Sequence, residues 1–178
     1  MNKQNTHLFY AFIAMIIVVA SSNYLVQFPI NDWLTWGALP YPISFLVTEL
    51  TNRFYGPKKA RRVVYAGFLL AVILSFWLAP PKIAFASGSA FLISQLLDIS
   101  IFNRFRQGPW WYAPFFASCL ASIVDTAIFW NIAFYGENVP LLTWAIGDFL
   151  VKLLLDVVLL LPFRLFLNRR LLSTLQRD

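Results

Sequence analysis

Long apolar stretches, separated by short polar segments rich in proline, dominate the chain. A helix rises about 1.5 Å per residue, so about 20 apolar residues cross a hydrocarbon core about 30 Å thick. Six stretches of suitable length follow one another, at residues 8–28, 38–54, 60–79, 83–102, 110–134 and 141–167. The pattern therefore predicts an all-α membrane protein, a bundle of six transmembrane helices in a single domain that covers residues 1–178.

Proline marks most of the predicted helix boundaries, where its missing N–H is least costly. These prolines are Pro29, Pro40, Pro42, Pro57, Pro80, Pro81, Pro109 and Pro140. Pro114 and Pro162 instead fall within predicted helices, so we expect a kink or an early helix end at each of them. The predicted connections are short, which makes consecutive helices antiparallel neighbours.

Composition supports a membrane setting. Hydrophobic residues make up 60% of the chain and charged residues only 12%, whereas a soluble domain usually carries about 25% charged residues to cover its surface. Most of the outer surface is therefore expected to face lipid. The net charge of +6 would also suit a nucleic-acid partner. The positions of the basic residues along the chain distinguish a nucleic-acid partner from a membrane.

Basic residues cluster on one side of the predicted bundle. If the N-terminus is cytoplasmic, only Lys82 of the 14 Lys and Arg residues falls in an outer segment, and only Lys152 lies deep inside a helix. The remaining ones are Lys3, Arg53, Lys58, Lys59, Arg61, Arg62, Arg104, Arg106, Arg164, Arg169, Arg170 and Arg177. Basic loops resist translocation, so this asymmetry predicts that both termini are cytoplasmic. The net positive charge thus reflects the orientation of the helices in the membrane. This makes the lipid bilayer the expected partner and argues against nucleic acid.

Aromatic side chains collect near the ends of the predicted helices, where amphipathic rings favour the membrane interface. They are Trp33, Trp36, Tyr41, Trp77, Trp110, Trp111, Tyr112 and Trp144. Interface anchoring accounts for most of them, and we expect at most a few to contact a ligand.

Acidic residues point to a polar interior. Asp32, Glu137 and Asp178 fall in loops or at a terminus, but the other acidic residues, Glu49, Asp98, Asp125, Asp148 and Asp156, lie within predicted helices. A carboxylate in the middle of a membrane costs about 2.5–3.5 kcal/mol on insertion scales unless it faces a cavity or a partner. We therefore expect these side chains to face inward and the protein to move a small polar solute.

Estimated depth separates the inward carboxylates. Asp125 lies about 22 Å from the cytoplasmic end of the fifth helix and Asp148 about 10 Å from the outer end of the sixth, so both belong to the outer half with Asn23. Asp148, Lys152 and Asp156 recur every four residues on one helix face. This ladder is either a buried set of ion pairs that fixes packing, or a site in which Lys152 keeps one carboxylate ionised while another meets a ligand.

The deeper polar residues have two interpretations each. Glu49 and Arg53, four residues apart, form either an intrahelical ion pair or part of a site, and the pair is slightly favoured. Gln95 and Asp98, three residues apart, share a face that either ties the fourth helix to a neighbour or contacts a ligand.

Catalytic and metal-binding patterns are missing from the sequence. His7 is the single histidine, which leaves no His/Cys cluster with metal-ligand spacing and no base to activate Cys119 or a serine. Neither a P-loop nor a dinucleotide glycine motif occurs. We expect no cofactor, no metal and no enzymatic activity.

Several motifs resemble one known family, in the same order and over most of the chain, from about Ser21 to Pro162. They are Ser21–Val26 (SSNYLV), Phe45–Gly56 (FLVTELTNRFYG), Gln95–Asp98 (QLLD), Phe102–Arg106 (FNRFR), Ser122–Thr126 (SIVDT) and the Asp148/Lys152 pair. On these residues the chain resembles the queuosine precursor transporters of the vitamin uptake transporter family.

This resemblance implies a multi-pass protein of the bacterial plasma (inner) membrane that imports 7-cyano-7-deazaguanine and 7-aminomethyl-7-deazaguanine. One carboxylate could accept the two adjacent N–H donors of such a ring, and Asn23, Gln95 or Lys152 could donate to its carbonyl oxygen. The expected substrate-binding residues are Asn23, Glu49, Gln95, Asp98, Asp125, Asp148 and Lys152. Asp125 or Asp148 is expected to accept hydrogen bonds from the two adjacent N–H donors, which form the donor edge of the ring.

The family also resembles the substrate-binding subunits of energy-coupling-factor transporters, which dock a coupling partner through small-residue helix faces. Here Ala11 and Ala14 are three residues apart and do not form such a face, which argues against an ATPase coupling partner. Two other functions stay open: a binding subunit for another vitamin that acts with an ATPase complex, and an intramembrane enzyme or structural subunit. A homo-oligomer is compatible with the sequence.

Overall fold

A computed structural model describes residues 3–32 and 34–175 of the chain. Six α-helices occur in this part: α1 Lys3–Leu25, α2 Ile43–Tyr55, α3 Pro57–Leu78, α4 Pro81–Phe105, α5 Tyr112–Ala133 and α6 Leu141–Leu175. The predicted all-α membrane fold is confirmed for these helices. Trp33, Arg177 and Asp178, and the side chains of Lys3 and Arg170, lie outside the described residues.

The segment between α1 and α2 was not predicted. It forms an antiparallel ribbon of two short strands, β1 Pro29–Asn31 and β2 Leu34–Thr35, and then a 3₁₀ turn at Trp36–Ala38. As a result α1 ends before residue 28 and α2 begins after residue 38, which corrects both predicted boundaries. Pro40 and Pro42 explain the late start of α2, because each lacks the N–H that a helix interior requires.

Glycine is required at two positions next to α2, at one for a close approach and at the other for its backbone conformation. A Cβ atom on Gly37 would lie 2.7 Å from the carbonyl oxygen of Ser22, so only glycine lets the 3₁₀ turn rest on the end of α1. Gly56 has a φ of 83° and joins α2 directly to α3, a left-handed conformation that other residues rarely adopt. These two positions fix α2 against α1 and α3.

Four of the described helices, α1, α3, α4 and α5, are long and apolar enough to cross a membrane. Helix α2 has 13 residues, about 20 Å of helix, which is shorter than a hydrocarbon core of about 30 Å. Helix α6 is long, but Asp148, Lys152 and Asp156 interrupt its apolar sequence. The chain is therefore a multi-helix membrane protein, and the count of six spans stays a prediction.

The two internal prolines have different outcomes. Pro114 is in the first turn of α5, where a proline ring is tolerated. Helix α6 continues through Pro162 as far as Leu175, so no early end occurs there and the predicted end at residue 167 was too short. Within a membrane, neighbouring helices and side chains compensate for the backbone bond that such a proline removes.

Polarity is inverted relative to a soluble protein. Trp77 is 87% exposed and Leu161 67%, whereas Gln95 and Asp98 are both completely buried. Large apolar side chains thus cover the outside while carboxyl and amide groups lie between the helices. Lipid favours this arrangement, because an unpaired charge on a lipid-facing surface is costly.

Contacts between connections define the two ends of the bundle. At one end the Arg53 Nη1 donates to the Arg106 carbonyl oxygen at 2.9 Å, and the Arg106 Nη2 donates to the Arg53 carbonyl oxygen at 2.8 Å. At the other end the Lys82 Nζ donates to the Tyr135 carbonyl oxygen at 2.8 Å and forms an ion pair with Glu137 at 3.1 Å. The short connections therefore lie at alternate ends, as predicted.

Candidate functional site

A buried lysine organises the first polar region. Lys152, on α6, is 3% exposed, and its Nζ forms ion pairs with Asp125 Oδ2 at 2.8 Å and with Asp148 Oδ2 at 2.5 Å. The same nitrogen donates to Thr126 Oγ1 at 3.1 Å. An ammonium group has three N–H donors, so these three acceptors satisfy it completely.

The surrounding hydroxyls satisfy the carboxylates in turn. Asp125 Oδ1 accepts hydrogen bonds from the Tyr41 hydroxyl and from Ser94 Oγ, the latter at 3.2 Å. The Thr126 hydroxyl donates to Asp148 Oδ2 at 2.9 Å, and the Tyr41 ring centre lies 5.0 Å from the lysine Nζ. We call Tyr41, Asp125, Thr126, Asp148 and Lys152 the lysine centre.

A small cavity opens beside the lysine centre. Its volume is about 20 Å³, enough for about one water molecule. The lining is shared by α1, the 3₁₀ turn and helices α4, α5 and α6, and comprises Ser22, Asn23, Val26, Gly37, Ala38, Tyr41, Ser87, Ala90, Asp125, Phe129, Asp148 and Lys152. The structure thus brings together four of the predicted site residues, Asn23, Asp125, Asp148 and Lys152.

Asn23 is held on both sides of its amide. Its Nδ2 donates to Ser75 Oγ on α3, and its Oδ1 accepts from Ser87 Oγ on α4. The neighbouring Ser22 Oγ donates to the Gly37 carbonyl oxygen at 2.7 Å. The polar end of α1 therefore ties three elements together at the edge of the cavity.

Three carboxyl groups form a second polar region, nearer the arginine end. Glu49 of α2, Asp98 of α4 and Asp156 of α6 are at most 4% exposed, and each is close enough to interact electrostatically with the others. We call these three residues the carboxylate centre. Among the described residues no lysine or arginine forms a salt bridge with any of them.

The favoured ion pair between Glu49 and Arg53 is absent from the part of the chain that the structure describes, so that interpretation was wrong. Arg53 turns to the Arg106 carbonyl oxygen instead, because its long side chain reaches the polar end of the bundle more easily than the buried interior. Glu49 is left in the interior with an Oε1 atom that has no partner.

Gln95 connects α4 to α2 and does not line the cavity. Its Oε1 accepts a hydrogen bond from Thr48 Oγ1, and its Nε2 donates to Ser44 Oγ at 2.9 Å. The interpretation that Gln95 and Asp98 tie the fourth helix to a neighbour therefore holds for Gln95, whereas neither oxygen of Asp98 has a partner among the described residues. Gln95, Glu49 and Asp98 lie apart from the four predicted residues at the cavity.

Sequence reasoning missed several partners at the cavity. Tyr41 was assigned to the membrane interface, but it is buried and donates to Asp125. Thr126 could have been found from its position directly after Asp125 on the same helix. Ser87 and Ser94, by contrast, are ordinary helix serines in the sequence, and only the packing of α4 against α1 and α5 gives them polar partners.

Together the fold and the site define a class: a multi-helix membrane protein whose ionisable groups lie inside the bundle around a small cavity, as in proteins that move solutes. The family model described as "Putative vitamin uptake transporter" matches residues 35–79 and 76–167.

Curated relatives point the same way. The "Probable queuosine precursor transporter" of Haemophilus influenzae is 34% identical over 83% of this chain and 80% of its own length. The "Queuosine precursor transporter" of Escherichia coli is 34% identical over 94% and 89%, and a "Probable queuosine precursor transporter" of Bacillus subtilis is 26% identical over 70% and 67%. No solved structure matches the chain. The chain belongs to the vitamin uptake transporter family.

Proposed function

We propose that this chain imports queuosine precursors, 7-cyano-7-deazaguanine and 7-aminomethyl-7-deazaguanine, across the bacterial inner membrane. The observation that carries the proposal is the buried, charged cavity at the lysine centre, in a chain whose Haemophilus influenzae and Escherichia coli relatives are named as queuosine precursor transporters. The chain would act as one transmembrane domain, residues 1–178, without an ATPase coupling partner.

Asp148 is the better candidate for reading the donor edge of the deazaguanine ring. Both oxygens of Asp125 are engaged, Oδ1 by Tyr41 and Ser94 and Oδ2 by Lys152. Both hydrogen bonds that Asp148 accepts use its Oδ2. Its Oδ1 accepts none from the described residues and is not completely enclosed by the protein. A carboxylate that borders a cavity with one oxygen unengaged can accept the two adjacent N–H donors of the ring after a small rotation.

The remaining lining suits the rest of a deazaguanine. Lys152 can donate to the ring carbonyl oxygen in place of its bond to Asp148 while it keeps its contact with Asp125. Tyr41 and Phe129 border the cavity and offer aromatic faces to a flat ring. Asn23 supplies an amide whose present partners are two serine hydroxyls, which can rotate to accommodate a ligand.

A deazaguanine is far larger than the present cavity of about 20 Å³. Binding therefore requires that the bundle open, and the 3₁₀ turn between α1 and α2 is the natural part to move, since Gly37 and Ala38 line the cavity without belonging to a long helix. Opening and closing around a site deep in the bundle is the behaviour of an alternating-access transporter. This structure would be a closed state.

We also propose six membrane spans with both termini cytoplasmic. Arg53, Lys58 and Lys59 flank the connection between α2 and α3, and Arg104 and Arg106 flank the one between α4 and α5. Both connections lie at the same end of the bundle, and cytoplasmic ends of membrane helices are enriched in such residues. Reporter fusions at the C-terminus and in the Asn31–Asp32 turn test this. A C-terminal reporter that is active outside the cell would contradict the topology.

The function is tested in a bacterial strain that cannot make queuosine precursors and lacks its own transporter. Expression of this chain should restore queuosine in tRNA when a precursor is supplied at a low concentration, and no coupling ATPase should be needed. Matched cells with the empty vector should contain no queuosine. Normal membrane insertion without any restored queuosine would contradict the proposal.

A further inference from the structure

The carboxylate centre has no role in the proposed recognition of the substrate. Glu49, Asp98 and Asp156 come from three different helices, and their side chains lie within electrostatic range of one another in the interior of the bundle, each at most 4% exposed. Asp98 is completely buried. Groups of this kind are costly in a membrane and mark ion or proton pathways.

The atoms of this region are acceptors without donors. Both oxygens of Asp98, the Oε1 of Glu49 and the Oδ1 of Asp156 are buried and have no hydrogen-bond partner. Ser122 supplies the one donor to a carboxyl of this centre among the described residues, to Asp156 Oδ2 at 3.1 Å. Buried polar atoms are normally paired, so this many unpaired acceptors in one place indicate a missing donor.

A second side chain shows the same deficiency independently. Asn52, one turn after Glu49 on α2, is completely buried, and its Nδ2 donates to the carbonyl oxygen of Ile99, the residue next to Asp98. This contact at 3.5 Å sets the amide against α4 at the level of the carboxyls. Its Oδ1 is nevertheless unpaired, so this amide oxygen also lacks a hydrogen-bond donor.

Within the described part of the chain, no lysine or arginine forms an ion pair with the carboxylate centre. From α6, Lys152 acts on Asp156 electrostatically but is paired with Asp125 and Asp148; from α2, Arg53 is directed to Arg106. From α5, Asp125 and Cys119 are within electrostatic range of Asp156 and supply no cation.

Protons are the ligand that fits such a region. A proton on one carboxyl turns an acceptor into a donor and removes a charge from the interior. A metal ion fits less well, because no group of three or more His, Cys, Asp or Glu side chains among the described residues is arranged to hold one. The missing donor is therefore best supplied by protonation.

The position of Lys152 links this region to the cavity. It lies four residues after Asp148 and four before Asp156, so one helix face offers it a carboxylate on either side. When the carboxylate centre is protonated, Lys152 is free to stay with Asp125 and Asp148, as in this structure. Loss of that proton would leave Asp156 ionised one turn from Lys152, where it would compete with Asp148 for the lysine. Protonation thus favours the arrangement of the lysine centre seen in this structure.

We propose that Glu49, Asp98 and Asp156 form a proton-binding site and that substrate import is coupled to proton entry through it. The inference rests on the proposed function, because it concerns the energy source of that transport. A proton would bind from the outer side together with the substrate and leave to the cytoplasm, so each transport cycle carries both inward. Asp98 is the central group, since both of its oxygens lack a partner.

The test uses the purified full-length chain in liposomes of bacterial polar lipids, with 7-cyano-7-deazaguanine as the probe. Uphill accumulation is measured with an acidic exterior, with equal pH, and with an inward sodium gradient at equal pH. A pH-sensitive dye inside the liposomes records proton entry when the probe is added. Exchange of external labelled probe for internal unlabelled probe is measured without any gradient.

The parent should accumulate the probe only with the acidic exterior, lose accumulation when a protonophore is added, and acidify the interior. Asp98→Asn and Glu49→Gln should keep exchange within about twofold of the parent while accumulation falls at least about tenfold. Glu137→Gln is the matched control, because it makes the same chemical change in an exposed carboxylate beside Lys82, and it should behave like the parent.

Accumulation driven by sodium, or insensitive to the protonophore, would overturn the inference while leaving the proposed function intact. Parent-like accumulation by both Asp98→Asn and Glu49→Gln would do the same. Proton entry by the parent is an independent measure if a variant does not fold, and probe uptake without acidification overturns the inference by itself. A parent chain that neither exchanges nor accumulates the probe would overturn the proposed function and this inference with it.

Discussion

The lysine centre and the carboxylate centre lie in the same bundle and share helix α6, yet they satisfy their polar groups in opposite ways. At the lysine centre all three donors of Lys152 and both oxygens of Asp125 have partners. At the carboxylate centre both oxygens of Asp98 have none. One region is a closed set of charges and hydroxyls, whereas the other lacks donors.

This difference separates a region whose donors and acceptors are largely paired in this structure from one whose acceptors lack donors. A buried ion pair that is fully hydrogen-bonded resists the loss of any member, because the remaining charge is left uncompensated. A buried acceptor without a donor already carries its penalty in the folded state, so its removal relieves strain. Substitutions in the two regions should therefore change stability with opposite signs.

The largest effect is expected from Lys152→Met, which removes the cation and leaves two buried carboxylates facing each other. Breaking a buried pair by the loss of one partner costs about 3–5 kcal/mol, so the variant should melt at a much lower temperature in detergent or fail to insert. Lys82→Met is the matched control, because that lysine is exposed in its pair with Glu137, and its melting temperature should hardly change. A parent-like melting temperature for Lys152→Met would show that the lysine centre does not hold the bundle together.

The next effect concerns ligand affinity at the lysine centre. In Asp148→Asn an acceptor becomes a donor that faces the donors of the ring, and the loss of a charged contact of about 1.5–3 kcal/mol weakens binding about ten- to a hundredfold. Asp125→Asn should instead lose more stability than Asp148→Asn, because three side chains donate to this carboxylate. Precursor binding and melting temperature are measured together for both variants.

Parent-like affinity in both of these variants would move the substrate site away from the cavity. Glu49, Gln95 and Asp98 would then become the better candidates, and the roles assigned to the two centres would be exchanged.

A smaller effect of the opposite sign is expected at the carboxylate centre. Asp98→Asn replaces a buried carboxyl group whose oxygens lack a partner by an amide whose N–H can donate to unpaired acceptors, so stability should stay unchanged or rise by about 1 kcal/mol. Thermal melting in detergent at neutral pH measures this, with Asp125→Asn as the comparison. A fall in melting temperature as large as that of Asp125→Asn would mean that the carboxyl groups of both centres are paired and stabilise the bundle.

The smallest effect is expected outside both centres. Lys58 and Lys59 lie in the first turn of α3, beside the connection to α2, and neither lines the cavity. Replacing both by Gln should leave uptake nearly unchanged, because Arg53, Arg61 and Arg62 keep the connection basic; surface changes usually shift stability by no more than about 0.5 kcal/mol. Abolished uptake with normal insertion would show that this connection takes part in transport.

Several features could be predicted because lipid imposes a simple rule. Carboxylates placed within apolar stretches had to face inward, and Asp98, Asp125, Asp148 and Asp156 are all buried. The resemblance to the vitamin uptake transporter family, read from short motifs, is confirmed by the family match. Helix existence followed from apolar length, although α6 extended well beyond its predicted end.

Other features depended on contacts that no local pattern contains. Tyr41 looked like an interface residue, since it lies next to prolines near a predicted helix end. The ribbon and 3₁₀ turn carry it back over the cavity, where its hydroxyl reaches Asp125, 84 positions later in the chain. Glu49 and Arg53 had the right spacing for an ion pair, but the backbone carbonyl of Arg106 competed successfully for the guanidinium.

Helix α6 shows both what the sequence determines and what only the tertiary contacts determine. The sequence by itself determined that Asp148, Lys152 and Asp156 share one buried face, because a helix repeats every 3.6 residues or so and lipid excludes charge. It could not determine which carboxylate pairs with the lysine, since both stand one turn away. Only the packing of α5 decided this: Asp125 and Thr126 stand opposite Asp148 and hold Lys152 there, while Asp156 meets a serine hydroxyl and is left with the unpaired carboxyls.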